Sequence, residues 1–414
     1  MKDLLTGWST RNGIEDLTGG TTTKIYTNDV LSKNRLWEEG LCKVNDDFLF
    51  GCATHTLNDP YNAGRDGIYG DHAYSILRAE CYGEERLLMI MNPWGHAEWN
   101  GPWSDGSGQW TAEAIKELGH VFGDDGVFWI RFEDFLRKFK ILYQTRLFTV
   151  DWNITQRWTS LVVPWAGHYE DVIFRIILTK ASPTVIVLSR LDEQYFRGLE
   201  GQYVFWISFR LYECNQADYI TSTGGEDAAH RSVSVELDLE AGTYEVRMKI
   251  YAARTDDADK IEDVVKSNWI VRREKLLRIG LSYDLAHAKP QLNGTGKGED
   301  EALSAACHTS VVERALMTEG NPLLGEKKEK EGAEDRKARG RSLDKEKPQK
   351  DKKTTREPSE DPWNASCVVG LRVYTKNSDA IIEVIDSNRG KADNSMLVIE
   401  ETPKDAAFFI SSIT

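Results

Sequence analysis

The 414-residue chain is short of several things, and each shortage excludes a class of protein. It has six cysteines, with no CxxC spacing. That argues against a disulfide framework or a cysteine zinc site, and for a reducing, intracellular, cytoplasmic setting. Met1-Lys2-Asp3-Leu4-Leu5 lacks the apolar run of a signal peptide. No stretch of 18 apolar residues offers a transmembrane helix, which still allows peripheral membrane contact. Basic residues do not dominate, because the net charge is −14 and the pI about 5.2. General nucleic-acid binding is therefore excluded as an expectation, and cation sites are favoured.

Hydrophobic residues make up 40% of the chain and charged ones 29%, enough for two or three domains with buried cores. Thirteen tryptophans are many for this length. They cluster between Trp94 and Trp206, where large rings suit sheet packing.

The most informative stretch is Gly70 to Gly95. His72 to Leu77 and Leu87 to Met91 have strand composition, and Cys81 to Arg86 reads as the loop between them. Asn92-Pro93 ends the second strand, since proline cannot donate to a ladder. A hairpin places the entry of one strand beside the exit of its partner, here His72 beside Asn92. By itself a histidine at a strand end is commonly surface or satisfied core, and Asn-Pro commonly a turn. Held together, the pair can serve thiol catalysis: the amide oxygen fixes the imidazole tautomer and leaves the other nitrogen to a nucleophile.

Before this hairpin, Asp16 to Thr27 reads as turn then strand, and Thr27 to Gly40 as a helix containing Leu31, Leu36 and Trp37. Asp47 to Thr54 reads as a buried strand, and Asn58 to Gly70 as a loop. After it, Thr111 to Leu118 reads as a helix capped by Thr111. Gly126 to Ile130 reads as a strand, and Phe132 to Phe139 as a short helix or turn. From about Leu147 the texture is all-β. Good strands lie at 174–178, 183–189, 204–211, 232–237 and 242–251, with Trp152 and 158–163 as further candidates. Arg254 to Ala288 reads as helical, with Ile261, Val264, Val265 and Trp269, then Leu276, Leu277 and Leu281, at helical spacing. Asp256, Asp257, Asp259, Glu262 and Asp263 read first as the solvated start of that helix. Residues 289–361 are low in complexity, and Glu326 to Asp361 mixes both charge signs, so disorder is expected. Strand texture returns at 366–374, 380–385 and 407–410. These strands either pair with the first sandwich or build a second.

Gly70-Asp71-His72-Ala73-Tyr74-Ser75 and Asn92-Pro93-Trp94-Gly95 resemble the histidine and asparagine motifs of calpains, the calcium-activated, papain-like cysteine endopeptidases. Ile14 to Gly20 resembles the segment joining the two halves of the calpain core. Glu98 to Asp105 resembles the stretch after the asparagine, and Asp125 to Ile130 with Phe132 to Phe135 the end of the core. The resemblance covers about residues 10 to 145.

Together with the compositional reading of the later segments, it gives an α+β fold with five parts. Residues 1–145 are the β-rich histidine/asparagine half of a papain-like core, and 146–253 an antiparallel C2-like β-sandwich. A charged helical segment follows at 254–288, a disordered insert at 289–361 and a C-terminal β segment at 362–414. It implies His72 and Asn92 as catalytic residues, with Trp94 covering their hydrogen bond. It implies a calcium site at Glu98, Asp105 and Asp125, with Val127 where the family has a fourth carboxylate. Its partners are protein substrates. The family nucleophile sits in a Gly-Asp-Cys-Trp type setting, which none of the cysteines shares, and it lies far upstream of the histidine. Met1 therefore falls near the boundary between the two half-cores, and the thiol is expected from a separate or upstream cysteine half. The alternative is a non-catalytic relative that regulates or binds through its sandwich.

Overall fold

The computed structural model describes residues 10–54, 66–224, 231–255, 258–290 and 362–386. Helix α1 (Thr10–Thr18) opens the described chain. It stops at Gly19, whose φ of 68° suits the left-handed turn that releases the chain into β1 (Thr21–Tyr26). The expected turn and strand are thus preceded by a helix. Next come α2 (Lys33–Arg35), a π turn at Leu36–Gly40, a 3-10 turn at Leu41–Lys43 and β2 (Phe48–Ala53). The helix begins later than Thr27, because Ser32 supplies its cap: the Ser32 hydroxyl accepts from Arg35 N at 3.2 Å. Leu31 stays exposed outside it.

β3 (Ala73–Tyr82) and β4 (Glu85–Met91) form the hairpin expected around residue 80. The strands run further than composition indicated, and a two-residue turn at Gly83–Glu84 replaces the six-residue loop. Gly83 has φ 59°, which a tight hairpin turn requires. α3 (Ala112–Leu118) is capped as expected, with the Thr111 hydroxyl accepting from Ala114 N at 3.1 Å. β5 (Val127–Arg131), α4 (Phe132–Lys138) and β6 (Ile141–Arg146) complete the unit. The antiparallel sheet runs β1-β6-β2-β3-β4-β5. One face packs Trp37, Leu41, Phe128, Phe132 and Phe135, and the other packs Leu87, Trp103, Leu118 and Trp129. Covered on both faces, this sheet is a rigid base for the residues at its edge.

The remaining strands are β7 (Asn153–Val162), β8 (Tyr169–Leu178), β9 (Ser182–Arg190), β10 (Tyr203–Glu213), β11 (Tyr219–Ser222), β12 (Ser232–Leu239), β13 (Gly242–Arg254), β14 (Ser366–Thr375) and β15 (Ala380–Asp386). They build two sheets, β11-β10-β13-β8-β15 and β12-β9-β14-β7, around one apolar core. A boundary at residue 253 therefore cuts the sandwich short. β14 lies inside the four-stranded sheet, with Leu371 opposite Arg157 on one side and Leu188 on the other. β15 is the edge strand beside β8. Residues 366–386 thus join the first sandwich rather than begin a second. The expected strand at 407–410, the mixed-charge stretch at 326–361, Asp256, Asp257 and most of the 58–70 loop lie outside the described residues.

α5 (Ile261–Asn268) and α6 (Arg273–Ala288) confirm the helical reading of that region, with one change of face. Leu276, Ile279 and Tyr283 turn inward, whereas Leu277 and Leu281 are exposed. No helix among the described residues is long and apolar enough to cross a membrane.

α1 ties the six-stranded sheet to the sandwich. Arg231 Nη1 lies 2.7 Å from both Asp16 and Asp192, and its Nε donates to Glu15 at 3.1 Å. Arg11 Nη2 donates to the Ser232 carbonyl at 2.7 Å, and Arg146 Nη2 lies 3.4 Å from Glu236.

Candidate active site

His72 stands just before β3 and Asn92 just after β4, so the hairpin sets the two side by side. His72 Nε2 and Asn92 Oδ1 are 2.8 Å apart. Asn92 is fully buried, and every polar atom of its side chain has a partner. Its Nδ2 donates to the carbonyls of His96 at 2.7 Å and Ala97 at 3.0 Å. Two carbonyl partners fix which end of the amide is nitrogen. Oδ1 can then only accept, which it does from Trp94 N at 3.1 Å and from the imidazole. The His72 proton therefore sits on Nε2, and in the neutral ring Nδ1 keeps its lone pair.

The Trp94 ring lies over His72 with centroids 4.1 Å apart and a 30° tilt. Half of the Trp94 surface remains exposed. Tyr74 meets His72 edge-on at 4.8 Å. Its hydroxyl accepts from Tyr69 N at 3.0 Å, and burial pushes its pKa up to about 12, so it stays protonated. Thr54, at the end of β2, accepts from His72 N at 3.2 Å and donates to the Tyr69 carbonyl at 2.6 Å. Sequence reasoning missed Thr54, Tyr69 and Tyr74 as supports. Only a pairing register that sets β2 beside β3 could have revealed them.

Gly126 closes the site from behind. Its carbonyl accepts from Asn92 N at 2.7 Å, and its φ is 82°. A Cβ there would stand 2.8 Å from the Asn92 carbonyl, so this approach requires glycine.

The carboxylates expected to hold calcium share one cluster of loops but bind mainly backbone. Glu98 Oε1 accepts from Asp125 N at 3.0 Å and Gly126 N at 2.8 Å. Asp105 Oδ2 accepts from Gly123 N at 2.8 Å. Asp105 Oδ1 lies 3.0 Å from His120 Nε2, without hydrogen-bond alignment. Asp125 Oδ1 accepts from Val127 N at 2.9 Å. Among the described residues, no three acidic, histidine or cysteine side chains gather into a metal-holding group. The set is a partial fit to calcium. Burial first, then the nearby charges of Asp105 and Asp125, push the Glu98 carboxyl above its usual range. That mutual repulsion is what a cation would relieve, yet the amide bonds must be shared or broken to form a cage. Asp124, which sequence reasoning passed over, accepts from Ala97 N at 3.0 Å and so helps shape the turn behind Asn92.

The described cysteines are placed elsewhere or sealed in. Cys52 in β2 is fully buried, and desolvation raises its thiol well above the ordinary value. Cys81 lies at the far end of β3 from His72, about 30 Å away at strand rise. Cys42 lies in the 3-10 turn before β2. Cys214 and Cys367 belong to the sandwich, where burial pushes Cys367 up to about 12. A cavity of about 580 Å³ also belongs to the sandwich side, between Tyr203, Arg254 and α5, and takes no part in this site.

The chain is similar to known proteins by family and by sequence. Residues 2–145 match the family model described as calpain family cysteine protease. The calpain-type cysteine protease DEK1 of Arabidopsis thaliana is 32% identical over 271 residues, covering 58% of this chain and 13% of that protein. Calpain-9 of Rattus norvegicus is 35% identical over 147 residues, covering 33% of this chain and 21% of that protein. Calpain clp-4 of Caenorhabditis elegans is 40% identical over 145 residues, covering 33% and 20%. The chain thus spans a small part of each relative's length. The plant match covers a larger share of this chain than the family model does.

Proposed function

Residues 2–145 match the calpain family cysteine protease model, and on that premise we propose that this chain supplies the histidine and asparagine of a thiol endopeptidase site. The observation that carries the reading is the 2.8 Å contact between His72 Nε2 and a fully buried, fully partnered Asn92 beneath Trp94. In this reading Asn92 holds the Nε2 proton and aims Nδ1 at a thiol supplied by a cysteine half-core. Nδ1 takes the thiol proton, giving a thiolate and an imidazolium. The thiolate attacks a peptide carbonyl, and the imidazolium returns the proton to the leaving amine. Water then hydrolyses the thioester. Asn92 orients and does not titrate. None of the described cysteines has the setting of the nucleophile, and in this reading a cysteine half-core supplies the thiol.

Calcium is the expected regulator, and Glu98, Asp105 and Asp125 are the residues that would hold it. The repulsion among their charges supports this. The sandwich fits the C2-like brace that follows such cores, and it grips the sheet through Arg231. Protein substrates and an intracellular, cytoplasmic setting belong to the same reading.

The test joins a calpain-type cysteine half to this chain and measures cleavage of a protein substrate. Thiol-dependent cleavage is expected and should vanish in His72→Ala. The chain alone should stay at background. Proteolysis by the chain alone that a thiol blocker stops would overturn the reading. So would a fused protein that ignores His72→Ala.

A further inference from the structure

Two thiols outside the His72–Asn92 site share one rim of the six-stranded sheet. Cys42 sits in the turn Leu41–Lys43 and Cys81 near the end of β3, and both are exposed. The turn packs against β3. Beyond the bulge between Ile76 and Arg78, β3 side chains alternate. Ala79 packs into the core that contains Trp37 and Leu41. Cys81, two residues on, therefore emerges on the face where Cys42 follows Leu41.

The segment around Cys42 is laced to the hairpin on both sides. Arg86, opposite Cys81 in register, stands over the Trp37 ring and donates to Asn34 Oδ1 at 2.8 Å. Asn45 Nδ2 donates to the Leu77 carbonyl at 2.8 Å. Burial and then the neighbouring Cys81 raise the Cys42 thiol above its ordinary value.

We propose that Cys42 and Cys81 are a redox-responsive pair that closes to a disulfide when the protein meets a peroxide. The Cys81 thiolate attacks one peroxide oxygen. The O–O bond breaks, a sulfenic acid forms on Cys81, and the departing hydroxide takes a proton to leave as water. The Cys42 thiol gives up its proton and its sulfur attacks the sulfenic sulfur. The S–O bond breaks, the S–S bond forms, and a second water leaves. Two thiols are oxidised by two electrons and hydrogen peroxide is reduced to two waters. Cys42 is then the resolving partner. A small dithiol reverses the bond by exchange. The bond ties the 33–43 segment to the outer end of β3 and leaves the His72 end untouched.

The test treats the full chain with hydrogen peroxide near stoichiometric amounts and maps peptides without reduction. A linked pair containing Cys42 and Cys81 is expected, within one chain and reopened by dithiothreitol. Cys52 and Cys367 are buried internal controls. In Cys42→Ser, Cys81 should persist as a sulfenic acid trapped by dimedone. In Cys81→Ser, Cys42 should stay largely unreacted. The proposal is overturned if Cys42 and Cys81 of the unaltered chain oxidise separately with no linked peptide. It is also overturned if either links instead to Cys214 or Cys307, or only to a second chain.

Discussion

Replacing Asn92 with alanine should loosen the turn behind His72 by an amount the structure lets one work out. Alanine removes the acceptor of Trp94 N–H and the donor to the carbonyls of His96 and Ala97. The imidazole also loses its partner, but it can turn to water. Three backbone groups are left short, at about 1 kcal/mol each, for about 3 kcal/mol in all. This corresponds to a change on the order of 100-fold in the local opening equilibrium. Hydrogen exchange read by mass spectrometry on a peptide spanning residues 92–98 should accelerate by about that factor. Strands of the sandwich should be unaffected. Asn92→Asp separates the two halves of the amide. It keeps an acceptor for Trp94 N–H but sets an oxygen against two carbonyls, so it should loosen the turn nearly as much. A change below about fivefold in both variants, roughly 1 kcal/mol, would refute the claim that this side chain holds the turn.

Arg231→Ala removes the cation shared by Glu15, Asp16 and Asp192. With Glu15 buried, the loss should be about 3 kcal/mol and insensitive to salt. A urea transition unmoved by the substitution would contradict it. Gly126→Ala should destabilise the same turn as Asn92→Ala through its positive φ and the close Asn92 carbonyl, and an unchanged melting temperature would count against that packing. The Glu98 carboxyl is raised in the folded chain. Its contribution is therefore fully present at low pH and is lost as pH rises from the ordinary carboxyl range through the folded value. Glu98→Gln should remove that slope from melts taken from the ordinary carboxyl range upward, and a slope that survives would place it on another group. For calcium, calorimetry on the chain and on its Glu98, Asp105, Asp125 triple alanine variant should differ. Identical isotherms would remove these carboxylates from consideration.

The pair at the site was legible because its placement depends on local chemistry. A strand entry at His72 and an Asn-Pro exit at Asn92 bracket one hairpin, and hairpin geometry does the rest. β6 was missed for the opposite reason. It lies between β1 and β2, yet Gln144, Thr145 and Arg146 give it a polar look. Thr145 is buried against Thr22, with the hydroxyls 2.9 Å apart, and Arg146 reaches Asp47 and Glu236. These partners come from remote segments and leave no trace in local pattern. α1 was hidden likewise. Asn12 and Gly13 look like helix breakers, and the charges that would mark a solvated face bind Arg231 and Ser232 across an interface instead. The three acidic residues were assigned to a metal, but the backbone amides 27 or 28 residues from Glu98 could not be seen to claim it.

The place of β14 between β7 and β9 has a temporal meaning. While the chain is being made, β7 to β13 leave the ribosome long before their missing strand. Until Ser366–Thr375 arrives, β7 and β9 each present an open edge of unpaired amides and carbonyls. The sandwich therefore cannot close during most of synthesis, and its final step is the insertion of a late strand over a long sequence separation, which is inherently slow. Nascent chains of this protein should depend on helper proteins that shield open sheet edges, and expression at lower temperature should favour the closed form over aggregates.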